Sequence, residues 1–382
     1  MMPQNTLLTR PAPTSQPAEK PRARDLAIPL QGTTGPLNAI TDVAGIEVGM
    51  MELTSAQDPA LATRGIQVQT GVTAILPRGH DTTPKPVWAG QFSLNGNGEM
   101  TGAHWVRDGG WLCGPILITN SHAIGPAHSA AVRWMVETYG ETWESHHLWA
   151  MPVIAETYDG VLNDINGLHI TETHARAAID SARAGPVREG NSGGGAGMIC
   201  YEFKGGTGTA SRVIDIDGTA FTLGALVQAN HGLRPWLTVA GQAVGAQMME
   251  DRIPDMKTER GSIIVILATD LPLSPSQLER LSRRASIGIG RSGSPGGNNS
   301  GDIFLAFSTA NEMPLPQLSG TWREMRTLND ERLDPVYLAA VEAVDESILN
   351  ALCAAQDVPF ARPASGVCRA LNTERLAEVM GL

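Results

Sequence analysis

The sequence predicts a mixed α/β protein in which sheets are stacked on one another. Several uninterrupted apolar runs are typical of strands buried on both faces, and stretches with helical spacing separate some of them. Glycine-dense loops connect these elements, in keeping with 42 glycines and only 5% aromatic residues. Buried strands interleaved with helices favour layers of sheet and helix around a large core.

The length, composition and charge of the chain limit the classes of protein to which it can belong. Of 382 residues, 42% are hydrophobic, which is enough for a large core in one or two domains. The formal net charge of −11, without a dense basic patch, argues against nucleic acid as a partner. No apolar run reaches the roughly 20 residues that span a bilayer, so we expect no membrane partner. We also expect a cytoplasmic protein with reduced thiols, because neither a CxxC pair nor a zinc spacing occurs among Cys113, Cys200, Cys353 and Cys368.

Strands are predicted where apolar or β-branched runs end at a glycine, proline or polar turn. Residues 1–30 precede the first of them, are rich in Pro, Thr, Ser and Gln, and are predicted to form a flexible arm. Residues 38–50 are predicted to be a turn that enters a strand. Further predicted strands cover residues 67–77, 112–121, 148–160, 198–203, 221–230, 262–270 and 303–307. The polar segment 242–259 is predicted to be a linker that leads to the strand at Ser262.

Helices are predicted where apolar residues recur at helical spacing between start and stop signals. They cover residues 126–138, 171–184, a stretch from 274, 334–354 and a stretch from 373. At the third, Ser274 can cap the helix, Pro275 suits the first position and Gln277 completes a capping box. Its buried stripe is expected to consist of Leu278, Leu281, Ala285 and Ile289.

The glycine-rich loops do not match nucleotide-binding motifs. A GxGxxG pattern in residues 94–102 would need glycine at the position of Thr101, so we expect a turn that shapes the rim of a pocket. In residues 204–212, Lys204 precedes the glycines, whereas a Walker A loop places its lysine after them. We therefore expect no nucleotide and no organic cofactor.

The junction between Gly261 and Ser262 carries the main functional hypothesis. Ser262 begins a buried strand directly after a glycine, so it is either an ordinary strand-edge residue or an N-terminal nucleophile. In the second case the chain cuts itself between Gly261 and Ser262. The released α-amine, with an ordinary pKa of roughly 7.7–8.0, can act as the base for its own hydroxyl. Gly261 suits this hypothesis, because a residue without Cβ tolerates the backbone strain of self-cleavage.

Other catalytic patterns are missing from the sequence. There is no HExxH motif, and His169 and His174 are five residues apart, so we expect no metal. No GxSxG elbow surrounds Ser262, which disfavours an ordinary α/β-hydrolase.

Six segments of the chain resemble the family of self-processing aminopeptidases typified by L-aminopeptidase/D-amidase-esterase, which includes the β-peptidyl aminopeptidases. These segments are residues 38–49, 71–78, 95–102, 189–212, 261–270 and 293–311. The resemblance implies a four-layer αββα fold similar to N-terminal nucleophile hydrolases, formed by residues 31–382 as a single domain. It also implies self-cleavage into an α fragment ending at Gly261 and a β fragment, 262–382, and assembly as a tetramer of αβ units.

The same resemblance implies roles for individual residues. Ser262 matches the nucleophile, and Ser300 and Asp302 match a serine and an acid that orient it, although the family often has Glu at the latter place. Asn230 matches a donor to the oxyanion, and Tyr158 matches a hydroxyl near it. The remaining two matches concern substrate binding. Glu156 is similar to the carboxylate that binds the free amine of the substrate, and Trp149 is similar to a wall of the substrate pocket.

These matches imply a serine hydrolase that removes N-terminal L-, D- or β-residues from short peptides, amides and esters. Each residue also has an ordinary structural interpretation: Asn230 as a turn residue, Tyr158 as a strand-end aromatic, Glu156 as a surface charge and Asp302 as a turn acid. Two other functions are compatible with parts of this pattern. An acyltransferase of the ornithine-acetyltransferase type has a similar architecture but uses threonine as nucleophile, and a non-catalytic binding protein would not need the whole set. The sequence leaves open whether the base is the Ser262 amine or the Ser300 and Asp302 side chains.

Overall fold

A computed structural model describes residues 20–253, 258–259 and 261–382. Strands β1 to β14 and helices α1 to α9 are numbered along the chain. The strands are Glu47–Thr54, Gln69–Leu76, Val87–Ser93, Trp111–Leu112, Ile116–Asn120, Val153–Thr157, Ile199–Cys200, Phe203–Lys204, Gly206–Ile216, Thr219–Asn230, Ser262–Thr269, Gly301–Ser308, Val358–Pro359 and Val367–Cys368. The helices are Pro59–Thr63, Ala103–Gly109, Ile124–Thr138, Gly140–His146, Glu172–Asp180, Pro275–Ser282, Ala285–Arg291, Asp334–Ala354 and Thr373–Met380.

Two sheets form the centre of the molecule. The larger has six strands in the order β4-β3-β12-β11-β10-β9, and the smaller has four in the order β1-β2-β5-β6. In the larger sheet β11 runs antiparallel to β10 and parallel to β12. The first residues of β11 and β12 are therefore neighbours, next to the last residue of β10.

The sequence of β11 accounts for its position between two apolar layers. Side chains alternate between the faces of a strand. Accordingly Ile264, Ile266 and Ala268 join a cluster with apolar residues of the smaller sheet, whereas Ile263, Val265 and Leu267 join the cluster that includes the outer helices. A strand covered on both faces needs an unbroken apolar run, as observed.

The helices cover the outer faces of both sheets. Helices α6 and α8 pack on the larger sheet, and α3 and α5 pack on the smaller one. The four layers confirm the predicted αββα arrangement. Within the described ranges, no helix combines the length and the apolar character that crossing a bilayer requires.

The predicted capping box is present at the start of α6. The Ser274 hydroxyl accepts from Gln277 N–H, and the Gln277 side chain accepts from Ser274 N–H. All four residues of the predicted stripe are buried, but a break after Ser282 divides the stripe between α6 and α7.

Several predicted boundaries are wrong. Strands β3 and β9 were not predicted. The first half of β9, residues 206–211, consists of Gly, Thr, Ala and Ser and lacks an apolar run. The predicted strand 112–121 is two strands, β4 and β5, which belong to different sheets. The predicted strand 198–203 is a short hairpin of β7 and β8, and the predicted strand 148–160 is confined to β6. The predicted linker 242–259 lies partly outside the described residues.

The predicted flexible arm is also too long. Ala23 and Ile28 are buried in the core, and Arg24 forms an ion pair with Glu346 of α8. Arg22 pairs with Glu189 and donates to backbone carbonyls. Residues 20–30 are therefore part of the packed structure, whereas residues 1–19 lie outside the described part of the chain.

Candidate active site

Ser262 lies where three strands of the larger sheet meet. As the first residue of β11 it is opposite Asn230, the last residue of β10, and Gly301, the first residue of β12. The Ser262 side chain is almost fully buried. The sheet register therefore brings together three residues that are distant in sequence.

The bond between Gly261 and Ser262 is held in a defined geometry. Ser262 Oγ donates to the carbonyl oxygen of Gly261 over 2.7 Å. Gly301 N–H lies 3.2 Å from Ser262 Oγ and 3.3 Å from the same carbonyl oxygen. The hydroxyl, the adjacent carbonyl and a backbone donor thus surround one peptide bond.

Glycine is required at positions 261 and 301, on either side of the Ser262 hydroxyl. A Cβ on Gly261 would lie 2.0 Å from the carbonyl oxygen of Asn230. A Cβ on Gly301 would lie 2.3 Å from the carbonyl oxygen of Asn97 and 3.0 Å from Ser262 Oγ. These distances are too short for a real Cβ, so the close approach of the three strands depends on glycine.

Asn230 is oriented by one hydrogen bond on each side of its amide. Its Oδ1 accepts from Ile199 N–H at 2.8 Å, and its Nδ2 donates to the carbonyl oxygen of Tyr158 at 3.0 Å. Because a side-chain amide has two N–H donors, one N–H remains for another acceptor. Asn230 lies directly opposite Ser262 in the sheet, and its role as a donor to the oxyanion stays a prediction.

The Tyr158 side chain does not take part in this hydrogen bond. Tyr158 follows β6 directly and contributes its carbonyl to Asn230, while its side chain is 42% exposed. Its hydroxyl lies over the backbone of Gly160. The structure therefore places its main chain at the site, and the predicted role of its hydroxyl stays a prediction.

Glu156 is a buried carboxylate of β6, at the end of the smaller sheet. It accepts from Glu99 N–H at 3.0 Å and from the Ser121 hydroxyl. Burial raises the pKa of the Glu156 carboxyl, and these two donors oppose that rise. A Cβ on Gly98 would lie 3.2 Å from Glu156 Oε1 and 3.5 Å from Gly301 Cα. The Glu156 carboxylate is therefore close to the start of β12, with Gly98 packed near both.

Ser300 and Asp302 form a buried pair on either side of Gly301. Ser300 Oγ donates to Asp302 Oδ1 at 2.6 Å, and Asn95 Nδ2 lies 3.3 Å from Asp302 Oδ2. Burial raises the pKa of Asp302 to about 6, against the opposing effect of the Ser300 hydroxyl. Asn95 belongs to the loop that was predicted to shape a pocket rim.

Trp149 occupies a groove away from this cluster. Its side chain is 54% exposed and lines an aromatic groove together with Trp105, Trp111 and Trp143. The residue precedes β6, whereas Glu156 lies near the other end of that strand. The predicted role of Trp149 as a wall of the substrate pocket stays a prediction.

Sequence reasoning missed several residues of the site. Glu259, only 7% exposed, accepts from Gly232 N–H at 2.7 Å, and Ser121 contacts Glu156. Gln228 donates to Thr157 Oγ1 at 2.7 Å and so ties β10 to the end of β6. The signal for Glu259 was its place three residues before Ser262, but Ser121 and Gln228 carry no sequence signal beyond a polar residue in a strand.

The electrostatic character of the site is negative. Among the described residues, no Arg, Lys or His nitrogen lies within 4.0 Å of the carboxylates of Glu156, Glu259 or Asp302. A buried carboxylate without a cation is costly, so such a site favours a cationic ligand. No group of three or more His, Cys, Asp or Glu in the described ranges is arranged to hold a metal ion.

Comparison with protein families gives one match across most of the chain. The model of peptidase family S58 matches residues 38–363. The β-peptidyl aminopeptidase BapA of Sphingosinicella microcystinivorans is 47% identical over 351 residues, which cover 88% of this chain and 87% of that protein. BapA of Sphingosinicella xenopeptidilytica is 41% identical over 375 residues, with 94% and 91% covered.

Solved structures give the same result. The L-aminopeptidase D-Ala-esterase/amidase of Ochrobactrum anthropi, described as a prototype of the serine aminopeptidases and a variant of the Ntn hydrolase fold, superposes with a TM-score of 0.89. It is 56% identical, and the match covers 95% of this chain and 98% of that one. A β-aminopeptidase of Burkholderia sp. superposes with a TM-score of 0.84 at 42% identity, covering 94% and 98%. This chain is similar to both in fold and in sequence.

Proposed function

We propose a mechanism for this chain, which belongs to peptidase family S58 and is a serine aminopeptidase. The chain cuts itself before Ser262 and then acts on its substrates through an acyl-enzyme on Ser262. We propose as substrates short peptides, amino-acid amides and esters with a free amine. Its relatives are named as a β-peptidyl aminopeptidase, an L-aminopeptidase D-Ala-esterase/amidase and a β-aminopeptidase, so L-, D- and β-residues are all candidates.

One observation carries this proposal. Ser262 Oγ donates to the Gly261 carbonyl oxygen at 2.7 Å, while Gly301 N–H lies within 3.3 Å of that oxygen. This geometry supports Ser262 as the nucleophile, because its hydroxyl is next to the Gly261 carbonyl and the Gly301 N–H can donate to the charge that develops on that oxygen. Stabilisation of such an oxyanion is commonly the largest single contribution to acyl transfer.

The proposed self-cleavage proceeds in two balanced steps. In the first, Ser262 Oγ bonds to the Gly261 carbonyl carbon, the C–N bond breaks, and the Oγ proton passes to the departing nitrogen. The product is an ester that joins Gly261 to Ser262 Oγ. In the second, water hydrolyses the ester, which restores the hydroxyl and leaves a carboxylate on Gly261 and an ammonium on Ser262.

The two fragments would remain joined after cleavage. Strands β11 and β12 of fragment 262–382 lie between β10 and β3, which belong to the other fragment. Hydrogen bonds on both sides of this pair hold the fragments in one sheet. We propose one catalytic domain that adds the packed segment 20–30 to the predicted range 31–382.

Hydrolysis of a substrate uses the same residues, and the α-amine that self-cleavage releases on Ser262 is now the base. The substrate ammonium binds Glu156 by a charge-assisted hydrogen bond. The free α-amine of Ser262 takes the Oγ proton as Oγ attacks the substrate carbonyl, and it returns the proton to the leaving amine or alcohol. Asn230 donates its remaining N–H to the oxyanion, and Asp302 supplies negative charge that favours the protonated amine. Water then releases the acyl group by the reverse sequence.

The test of self-cleavage is the intact mass of the purified protein under denaturing conditions. We expect two species, one ending at Gly261 and one comprising residues 262–382. Ser262→Ala should give one uncut species without aminopeptidase activity, because the attacking oxygen is missing. A Ser262→Ala chain that still splits at this bond would rule out Ser262 as the nucleophile.

Two properties of the molecule remain proposals. We propose a tetramer of αβ units, which analytical ultracentrifugation would test, and a cytoplasmic location, which fractionation of the source cells would test. The free, buried state of all four cysteines supports a reducing compartment. We further propose that neither nucleic acid nor membrane is a partner.

A further inference from the structure

Glu259 has a position that the steps above do not use. It lies three residues before Ser262 and is only 7% exposed. Its Oε1 accepts from Gly232 N–H at 2.7 Å, and its Oε2 lies against Gly297. The side chain thus contacts the segments that follow β10 and precede β12, the two strands that flank Ser262.

The contact with Gly232 acts on the chain just before the scissile bond. The pairing of Asn230 with Ser262 ends the ladder between β10 and β11. Beyond it Gly261 is packed against Asn230 and His231, at a distance that leaves no room for a Cβ. Glu259, two residues before Gly261, is bound to Gly232, and Ser262, directly after Gly261, is paired with Asn230. Gly261 therefore lies between two residues that are both attached to the end of β10.

Gly232 is itself a fixed point. Its φ is +85°, a conformation that favours glycine, and a Cβ there would lie 2.4 Å from the ring of Tyr201. The neighbouring backbone is also anchored, because Tyr201 N–H donates to the carbonyl of His231 at 2.7 Å. An acceptor that binds Gly232 N–H is therefore tied to a rigid part of the larger sheet.

We infer that Glu259 is a positioning residue for self-cleavage: its carboxylate, bound to Gly232 N–H, holds the Gly261 carbonyl in reach of Ser262 Oγ. This inference rests on the proposed self-cleavage and adds a residue to it. A segment held at Ser262 alone would let the Gly261 carbonyl turn away from Gly301 N–H. Misplacement of a reacting group by about 1 Å costs on the order of 100-fold in rate.

The hydrogen-bond geometry predicts how three substitutions will differ. Glu259→Ala removes the acceptor, and Glu259→Asp withdraws it by one methylene, so both should slow self-cleavage by about 10–100-fold. Glu259→Gln keeps a carbonyl oxygen for Gly232 N–H but turns its amide toward the backbone N–H of Gly297, so it should cleave faster than Glu259→Ala and more slowly than wild type. A residue with only a general effect on folding would not show this order.

The experiment follows the uncut fraction of the full chain with time after synthesis in a cell-free reaction. Glu324→Ala, at an exposed glutamate, is the matched control and should cleave like wild type. Thermal unfolding of each purified variant identifies any that fails to fold, and Glu259→Asp, which keeps the charge, then carries the test. If Glu259→Ala or Glu259→Asp cleaves at the wild-type rate, or a folded Glu259→Gln is as slow as Glu259→Ala, the inference is wrong. A wild-type chain that stays uncut would instead refute self-cleavage itself.

Discussion

The ammonium site is the part of the mechanism that one substitution can isolate. Glu156→Gln replaces a charged acceptor by a neutral one of the same shape. The Glu99 N–H keeps an acceptor, and the Ser121 hydroxyl can rotate to accept from the new amide. We therefore expect the fold to be retained and the charge alone to be lost.

The size of the effect follows from the burial of Glu156. Hydrogen bonds to charged groups contribute about 1.5–3 kcal/mol. At about 1.4 kcal/mol per factor of ten, this corresponds to a loss of about 10–100-fold in kcat/KM. The loss should appear mainly in KM, because the ammonium is bound equally in the ground state and the transition state.

The assay compares two anilides of one amino acid, one with a free amine and one N-acetylated. The wild-type enzyme should strongly prefer the free amine, and Glu156→Gln should lose most of that preference while its low rate on the acetylated substrate is unchanged. Glu324→Gln is the matched control, because it removes the same charge at an exposed residue that is not among the groups shifting the pKa of Glu156. Equal losses on both substrates would mean that Glu156 supports the structure and does not bind the amine.

Two further predictions concern the residues around Gly301. Protonation of the Ser262 α-amine, with its ordinary pKa of roughly 7.7–8.0, should lower kcat/KM first as the pH falls. Because burial raises the pKa of Asp302 to about 6, its negative charge is lost below that pH, so kcat/KM should show a second acid limb below about pH 6. Asp302→Asn should lower the rate and flatten that limb of the profile, and an unchanged acid limb would assign it to another group. Gly301→Ala would place a Cβ 2.3 Å from the Asn97 carbonyl oxygen and 3.0 Å from Ser262 Oγ. We expect slower self-cleavage and a loss of about 1–3 kcal/mol in stability, measured by denaturant unfolding; normal cleavage would show that β12 can move away from the loop.

Much of the fold could be predicted because it is encoded locally. The apolar run after Ser262 and the capping box at Ser274 each specify their element through neighbouring residues alone. Strand β9 could not be predicted in this way, since its Gly, Thr and Ser residues become strand only through pairing with β10. The same limit applies to residues 20–30, which owe their order to ion pairs with residues such as Glu189 and Glu346.

The site was predictable only in part. A resemblance in sequence pointed to Ser262, Asn230 and Glu156, but not to what holds them together. The hydrogen bonds from Gln228 and Asn230 to the end of β6 join two sheets whose residues are about 70 positions apart in the chain. No local pattern encodes a contact of that kind.

The sequence by itself predicted Ser262 as the nucleophile, the glycine before it and the buried strand that begins at Ser262. The tertiary structure alone decided which carboxylates lack a cationic neighbour among the described residues and which backbone donors face the Gly261 carbonyl. The physical reason is that strand formation depends on nearest neighbours and periodicity, whereas desolvation and electrostatic pairing depend on everything within several ångströms in space. Glu259 illustrates the difference, because its place before Ser262 is written in the sequence and its hydrogen bond to Gly232 exists only in the folded chain.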